Sequence, residues 1–326
     1  MERRTLLSAA AVAGGGLAFG QKAFGQPAGN IVVWSGFPSG GLGDQISRPL
    51  MEQLRGKYPQ NLVYDSKPGA AGRIAAEFVK RSAPDGNNLL QCPAGVLTLH
   101  PHVFKKLPYD PLLDFVPVAG ICNFTFSFTA GPGLPASIKT VAEYLAWAKS
   151  NPTQANYGVP SVGTSLHLSG MLLSRAAGVD MRVIPYRGGG PLLTDLLGGQ
   201  VPVSFNVVSE VLPHIRSGKL RSLAVTSPTR WKAMPETATL AELGYKDIAF
   251  VDWLGWFAPT GTPAAKLAAL NAAVNAQIAS AAMVEVFEKN ALEPLGGTVG
   301  SLASLMKSDY LQNQLVVKAT GFTPED

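Results

Sequence analysis

Short apolar runs alternate with amphipathic stretches along most of this chain, and each pair reads as a strand followed by a helix. Ile31-Val-Val-Trp34 is a strand pattern, and Ile46, Leu50 and Leu54 then share one face of a helix from Asp44 to Gly56. Pro49 lies about one turn into that helix, so the helix either starts late or bends there. Asn61 to Tyr64 is the next strand, Lys67-Pro-Gly69 begins a helix over Ala70 to Ser82, and Ala83-Pro-Asp-Gly86 is a turn before a strand at Leu89 to Cys92. Val116 to Ile121 and Asn123 to Thr129 are extended. Ser137 starts a capped helix running to Ser150.

The middle third repeats the grammar. Strands are predicted at Asn156 to Val159, Arg182 to Pro185, Val203 to Val207 and Ser222 to Thr226, with helices at Thr164 to Ala177, Pro191 to Leu197 and Ser209 to Ser217. A loop around Trp231 to Pro235 leads to an apolar aromatic run, Phe250 to Ala258, and helices follow over Pro263 to Ala282, Met283 to Asn290 and Ser301 to Val317. This alternation predicts an α/β fold of parallel sheets covered by helices. About 300 residues exceed the usual size of one core, which favours two lobes with a ligand cleft and a hinge between them. Residues 26–124 plus 251–326 form lobe one in this reading and residues 125–250 form lobe two, joined by two crossing strands.

The N-terminus changes where the chain works. Arg3-Arg4 precedes an uncharged stretch from Ala9 to Gly20, and Lys22-Ala-Phe-Gly25 ends in a small-x-small pattern, so residues 1–25 read as a cleaved twin-arginine export signal and the mature chain as periplasmic. Its loss takes three of 27 basic and one of 22 acidic residues, leaving 24 against 21 and a charge of +3. With no Lys/Arg run and no basic and aromatic interleaving, nucleic acid is set aside as a partner. Cys92 and Cys122 both sit in apolar runs and form either one disulfide or two buried thiols. His100-Pro-His102 reads as a surface pair rather than a metal site, and no metal or cofactor is expected.

The chemistry concentrates in two loops that open helices. Phe37-Pro-Ser-Gly-Gly41, with Asp44, follows the first strand, and Ser161-Val-Gly-Thr-Ser165 precedes the helix of the middle third. A helix start presents unpaired N–H groups and a partial positive charge, so each loop is an anion seat, and hydroxyls at Thr164 and Ser165 add donors. Two such seats far apart in sequence suggest one anionic ligand between them. Tyr186, before Gly188-Gly-Gly190, is either a cleft donor or a core residue, and Asp44 is either a ligand contact or a cap. His167 reads as a helix histidine, and Trp253 and Trp256 as packing residues. Gly163-Thr-Ser-Leu-His167 lacks the glycine of a nucleophile elbow, which makes a secreted α/β hydrolase the alternative and not the first reading.

Taken in order, Phe37-Pro-Ser-Gly-Gly, Lys67-Pro-Gly-Ala-Ala-Gly72, Lys106-Leu-Pro-Tyr-Asp-Pro111, Gly163-Thr-Ser-Leu-His-Leu168, Pro185-Tyr186, Leu193-Thr-Asp-Leu-Leu-Gly-Gly-Gln-Val201, Leu212-Pro-His-Ile-Arg216 and Phe257-Ala-Pro-Thr-Gly-Thr-Pro263 make the chain resemble the Bug-type receptors of the tripartite tricarboxylate transporter family. The resemblance implies a type II periplasmic binding protein fold and a monomeric receptor. It further implies a small organic carboxylate pinched between Phe37–Gly41, including Ser39 and Gly40, and Ser161–Ser165, including Gly163, for a membrane transporter or a sensor. Departures from the family pattern stand at Arg73, Pro202, Asn206 and Val207, the last two replacing an acid and an amide. If Asn206 lines the distal end of the pocket, that end has lost an acid and should disfavour an ammonium group.

Overall fold

The computed structural model describes residues 29–324 of the 326-residue chain, so the export signal expected over residues 1–25 lies outside the described residues. The first part of the chain forms β1 (Ile31–Ser35), α1 (Leu42–Leu54), β2 (Leu62–Ser66), α2 (Arg73–Lys80), β3 (Asn88–Pro93), the short α3 (Gly95–Thr98) and α4 (His100–Val103), and β4 (Phe115–Ala130). Next come α5 (Val141–Ser150), β5 (Asn156–Val159), α6 (Ser165–Ala177), β6 (Arg182–Pro185), α7 (Gly189–Leu197), β7 (Val203–Val207), α8 (Val208–Arg216) and β8 (Arg221–Val225). The chain ends with β9 (Val251–Pro259), α9 (Ala264–Ile278), α10 (Ala281–Lys289), β10 (Glu293–Pro294) and α11 (Val299–Thr320).

Strand order is β2-β1-β3-β9-β4-β7-β5-β6, with β8 and β10 also paired to β4. β1 runs parallel to β2 and β3, and β5 runs parallel to β6 and β7, as strand-helix-strand units require. The sheet is mixed and not wholly parallel, because β4 and β9 pair antiparallel along most of their length. β4 is the long element that links the two groups of strands. Its first part pairs with β9, and Phe126 to Ala130 pair with β7 and Val203 to Val207. Except at Val116 and Asn123 it is buried throughout, as a strand covered on both faces must be, which explains its continuous apolar sequence.

One apolar core runs from Ile31, Val33 and Leu50 through β4 to Tyr157 and Phe205. Phe124, Phe126 and Phe128 carry it across the junction, with Phe128 stacked on Phe205 at 4.7 Å between ring centroids. Beside them the chain segments meet in a polar knot. The Thr125 and Thr226 hydroxyl oxygens are 3.1 Å apart and both donate to the Phe250 carbonyl, while the Phe250 N–H donates to the Thr226 carbonyl at 2.8 Å.

Several elements differ from the sequence pattern for local reasons. α1 starts at Leu42 and continues through Pro49, which rules out the late start of the two alternatives. The helix expected from Ala70 begins instead at Arg73, because Gly69, Ala70, Ala71 and Gly72 all take positive φ angles (135°, 47°, 53° and 91°). Left-handed alanines cost on the order of 1–2 kcal/mol each and hold a tight single turn there. The long helix over Pro263 to Ala282 breaks after Ile278, where the Ser280 hydroxyl accepts from the Met283 N–H and starts α10. Cys92 and Cys122 are both buried and unpaired, which selects the second of the two cysteine readings. Among the described residues no single helix is long and apolar enough to cross a membrane.

Candidate functional site

A cavity of about 580 Å³ lies where the start of α1 meets the start of α6 across β4. Ser35 to Gly43 border one side, Pro160, Ser161 and Thr164 to Leu166 the other, and Phe124 and Phe126 the wall between them. Such a mostly apolar space with a few converging polar groups is the usual form of a small-molecule site.

The two helix starts are built differently. At α1 the N-cap is Gly41, which supplies no side-chain cap. Its carbonyl accepts from the Asp44 and Gln45 N–H groups, and the Leu42 and Gly43 N–H groups find no acceptor among the described residues. Asp44 turns back to accept the Gly40 N–H at 2.9 Å and holds Arg48 at 2.5 Å. At α6 the Thr164 hydroxyl accepts from the His167 N–H at 3.4 Å and donates to the Ser161 carbonyl at 2.9 Å. There the Ser165 and Leu166 N–H groups are the ones left open, and both residues border the cavity. Each helix therefore offers two backbone donors and its positive end to the same space.

Buried polar groups complete the floor. The Trp256 indole can only donate, and it does so to the Gln91 Oε1 at 2.9 Å, with the Ser47 hydroxyl on the same oxygen. The Gln91 amide nitrogen is thereby turned away from them, buried and without a partner, in a residue that lines the cavity beside Tyr64. Asp252 lies where β9 begins. Burial pushes its carboxyl up to about 7, against hydrogen bonds from the Trp253 N–H at 2.8 Å, the Ala94 N–H at 3.1 Å and the Ser165 hydroxyl, while the Asp309 carboxylate raises it further. Burial, with the Arg73 charge nearby, lowers His100 to about 3, so its ring is neutral at neutral pH and sits 3.3 Å from the Tyr109 hydroxyl. On the far side Glu210, in the first turn of α8, is pushed up to about 7 by burial alone.

The structure brings Phe37, Ser39, Gly40, Gly41, Ser161, Thr164 and Ser165 to one cavity. Four other sequence candidates are elsewhere. Asp44 serves Gly40 and Arg48. Gly163, at φ 70°, backs onto Val103 and Phe104. The Tyr186 hydroxyl donates to Asp195 Oδ2 at 2.9 Å, and its ring packs with the cluster around Leu192. Asn206 points the wrong way, because one residue along a strand reverses the face. It is buried, its Oδ1 accepts from the Ser204 hydroxyl, and its neighbour Val207 is the residue that borders the cavity. The cavity does hold an acid near Val207, supplied by Glu210. The hydroxyls of Thr164 and Ser165 are likewise engaged within the chain, on the Ser161 carbonyl and on Asp252, and the open donors there are backbone N–H groups. His100 is not a surface residue but part of the wall, and Trp253 is turned away, with its indole on Asp309 Oδ2 at 2.6 Å. Arg73 stacks its guanidinium on Phe104, 3.6 Å from the ring centroid, and Pro202 accepts the Gly131 N–H through its carbonyl.

Gln91, His100, Asp252 and Glu210 escaped the sequence reading. For Glu210 a signal existed, an acid in the first turn of a helix that follows a strand. For the other three none did, because only the packing of β3, α4 and β9 brings them to the cavity. His167 holds the Gly163 N–H on Nδ1 at 3.3 Å, and no described hydrogen bond joins it to Ser165.

Known proteins similar to this chain share one family. Residues 46–322 match the model described as "Tripartite tricarboxylate transporter family receptor". The chain is 31% identical to the protein BugT of Bordetella pertussis over 296 residues, covering 90% of each chain. Among solved structures it is similar to R. palustris Rpa4515 with adipate (TM-score 0.86, 29% identity, 91% of this chain and 99% of that one). It is also similar to MatC from Rhodopseudomonas palustris with bound malate (TM-score 0.82, 27% identity, 90% and 100%).

Proposed function

The chain belongs to the tripartite tricarboxylate transporter family of receptors and is a solute-binding protein; from that premise we propose that its ligand is a small organic carboxylate held in the cavity between the starts of α1 and α6. The observation that carries this is the pair of open helix starts. Four backbone N–H groups and two helix dipoles converge on one space, and a carboxylate, with two oxygens and about four acceptor positions, matches that set. Relatives with adipate and malate bound support the ligand class. Hydrogen bonds to a charged group contribute about 1.5–3 kcal/mol each, so losing one costs roughly one to two decades of affinity.

In the same proposal, residues 26–124 with 251–326 and residues 125–250 act as lobes that close on the ligand about the Thr125, Thr226 and Phe250 knot. The receptor works as a periplasmic monomer delivered by a twin-arginine signal, and it hands its ligand to a membrane transporter or a sensor. Needing no cofactor, it returns the ligand unchanged.

A thermal-shift screen of the mature protein against carboxylates tests the reading, because a ligand bound only to the folded state raises the melting temperature. The expected result is a rise with at least one carboxylate that is absent with its amide or ester. No shift with any carboxylate, or conversion of an ester, would overturn it.

A further inference from the structure

We propose that Glu210 makes the distal end of the cavity select a carboxylate whose far end carries an ammonium group, that is, an ω-amino carboxylate. This rests on the reading of the helix starts as the carboxylate seat. A Cβ added at Gly189 would collide with the Glu210 carboxylate, and one at Gly41 would lie 3.9 Å from its Oε1, so the carboxylate sits between the loop before α1 and the start of α7. Among the described residues no group donates a hydrogen bond to it and no cation pairs with it, and only the uncapped start of α7 lies beside it with a partial positive charge. Two further acceptors border the same cavity without partners. The Ser209 hydroxyl, in a residue that is 8% exposed, has none, and the Gln45 Oε1 is buried and free because its Nε2 is fixed on the Gly40 carbonyl at 3.1 Å. The Ser209 and Gln45 oxygens are buried, and buried acceptors left open call for a donor from the ligand, while the half-buried Glu210 carboxylate supplies the charge beside them.

Charge decides which donor. The charged residues lining the cavity are Glu210, Asp252 and Arg187. Asp252 is taken up by Ser165, Trp253 and Ala94, and Arg187 is exposed, with no ion pair among the described residues. Asp44 and Arg48, on α1, pair with each other, and His214, one turn along α8, does not line the cavity. A plain dicarboxylate would bring its second negative charge against Glu210 and gain only if a proton were shared. An ammonium brings the opposite charge and up to three N–H donors for Glu210, Ser209 and Gln45. The glycines at 41 and 189 leave the carboxylate uncovered by side chains.

Calorimetry on the full mature receptor decides between these. The probes are straight-chain ω-amino carboxylates from glycine to 6-aminohexanoate, the unsubstituted acids of equal length, and the matching dicarboxylates, each measured at pH 6 and pH 8. At one or more lengths the amino member should bind at least tenfold more tightly than its plain partner, and more tightly at pH 8 than at pH 6. An ammonium favours the ionised Glu210, so affinity gains as pH rises through about 7. Glu210→Gln should reduce the amino-to-plain affinity ratio to near one. Should that variant fold poorly, the wild-type ratio and its pH dependence still decide. Dicarboxylates that bind best and gain at pH 6 would overturn the proposal in favour of a shared proton. A ratio unchanged in Glu210→Gln would overturn it as well. In either case binding that weakens in Ser165→Pro leaves the carboxylate seat standing, whereas no binding by any member counts against seat and selector together.

Discussion

The two helix starts that face each other across the cavity do one job with opposite means. α1 opens on Gly41 with no side-chain cap and recruits Asp44 from its own first turn to hold Gly40. α6 opens on Thr164, whose hydroxyl seals the first turn in the ordinary way. In both, side chains close the frame and two backbone N–H groups stay open to the cavity. Under the proposed carboxylate seat, hydroxyls and carboxylates near a helix start need not touch the ligand, because they hold in place the backbone that would.

The most disruptive way to break the comparison is to fill the glycines leading into each helix. A Cβ at Gly36 would overlap the Gly72 Cα and lie 2.9 Å from its carbonyl oxygen, whereas one at Gly163 would meet the Phe104 ring at 3.0 Å, with φ at 70°. Backbone yields less than a ring edge, so Gly36→Ala should cost about 3 kcal/mol of unfolding free energy and Gly163→Ala about 1–2 kcal/mol. Urea titration of the two variants measures the order, and equal losses would show that the loops are equally soft.

Next comes the donor role itself. Gly41 and Thr164 are extended (ψ −177° and 162°), the conformation a residue takes before proline, and the first helical position tolerates proline. Ser165→Pro should therefore keep the helix and remove one open N–H, lowering carboxylate affinity by roughly tenfold or more. Ser165→Ala keeps the N–H and should change affinity much less. Leu42→Pro, read against Leu42→Ala because Leu42 is buried, makes the same test at α1. Calorimetry showing Ala as harmful as Pro would return the role to the hydroxyl.

A pH series separates the sides further. Asp252, joined to α6 through Ser165, has its carboxyl raised to about 7 in the fold, so between pH 4 and 7 the folded state holds a proton that the unfolded state has lost. Stability must then fall as pH rises through that window, with Asp252 contributing on the order of 4 kcal/mol. Asp252→Asn should flatten the decline in denaturation free energy between pH 4 and 7, leaving the share due to Glu210.

The smallest effects concern the caps. Thr164→Ala should lower stability by about 1 kcal/mol, while Asp44→Ala, which gives up an exposed contact, should lose about half of that. Thermal denaturation is sufficient to rank them, and a larger loss for Asp44 would mean that the glycine start depends on its carboxylate.

Much of the architecture was legible in the chain because it is local. Hydrophobic period fixed β1, α1, β5, α6 and β7 to within a few residues, and the glycine and hydroxyl loops before α1 and α6 announced two helix starts with open donors. What failed was whatever depended on the face a side chain takes or on a partner distant in sequence. Asn206, expected at the pocket, is buried away from it, since a strand exposes alternate residues and the sequence does not say which. Tyr186 found Asp195 and Asp44 found Arg48, each a neighbour that a strip of sequence offers without ranking.

The sequence by itself determined the α/β alternation, the family pattern and the two anion-seeking loops, since backbone preference and helix polarity act over a few residues. Tertiary structure decided the rest. Pairing β4 against both β9 and β7 brought the loops across from each other, turned Gln91, His100 and Asp252 into one wall, and left Glu210 without a partner. Desolvation and charge pairing depend on which groups packing brings together, and only the folded chain fixes that.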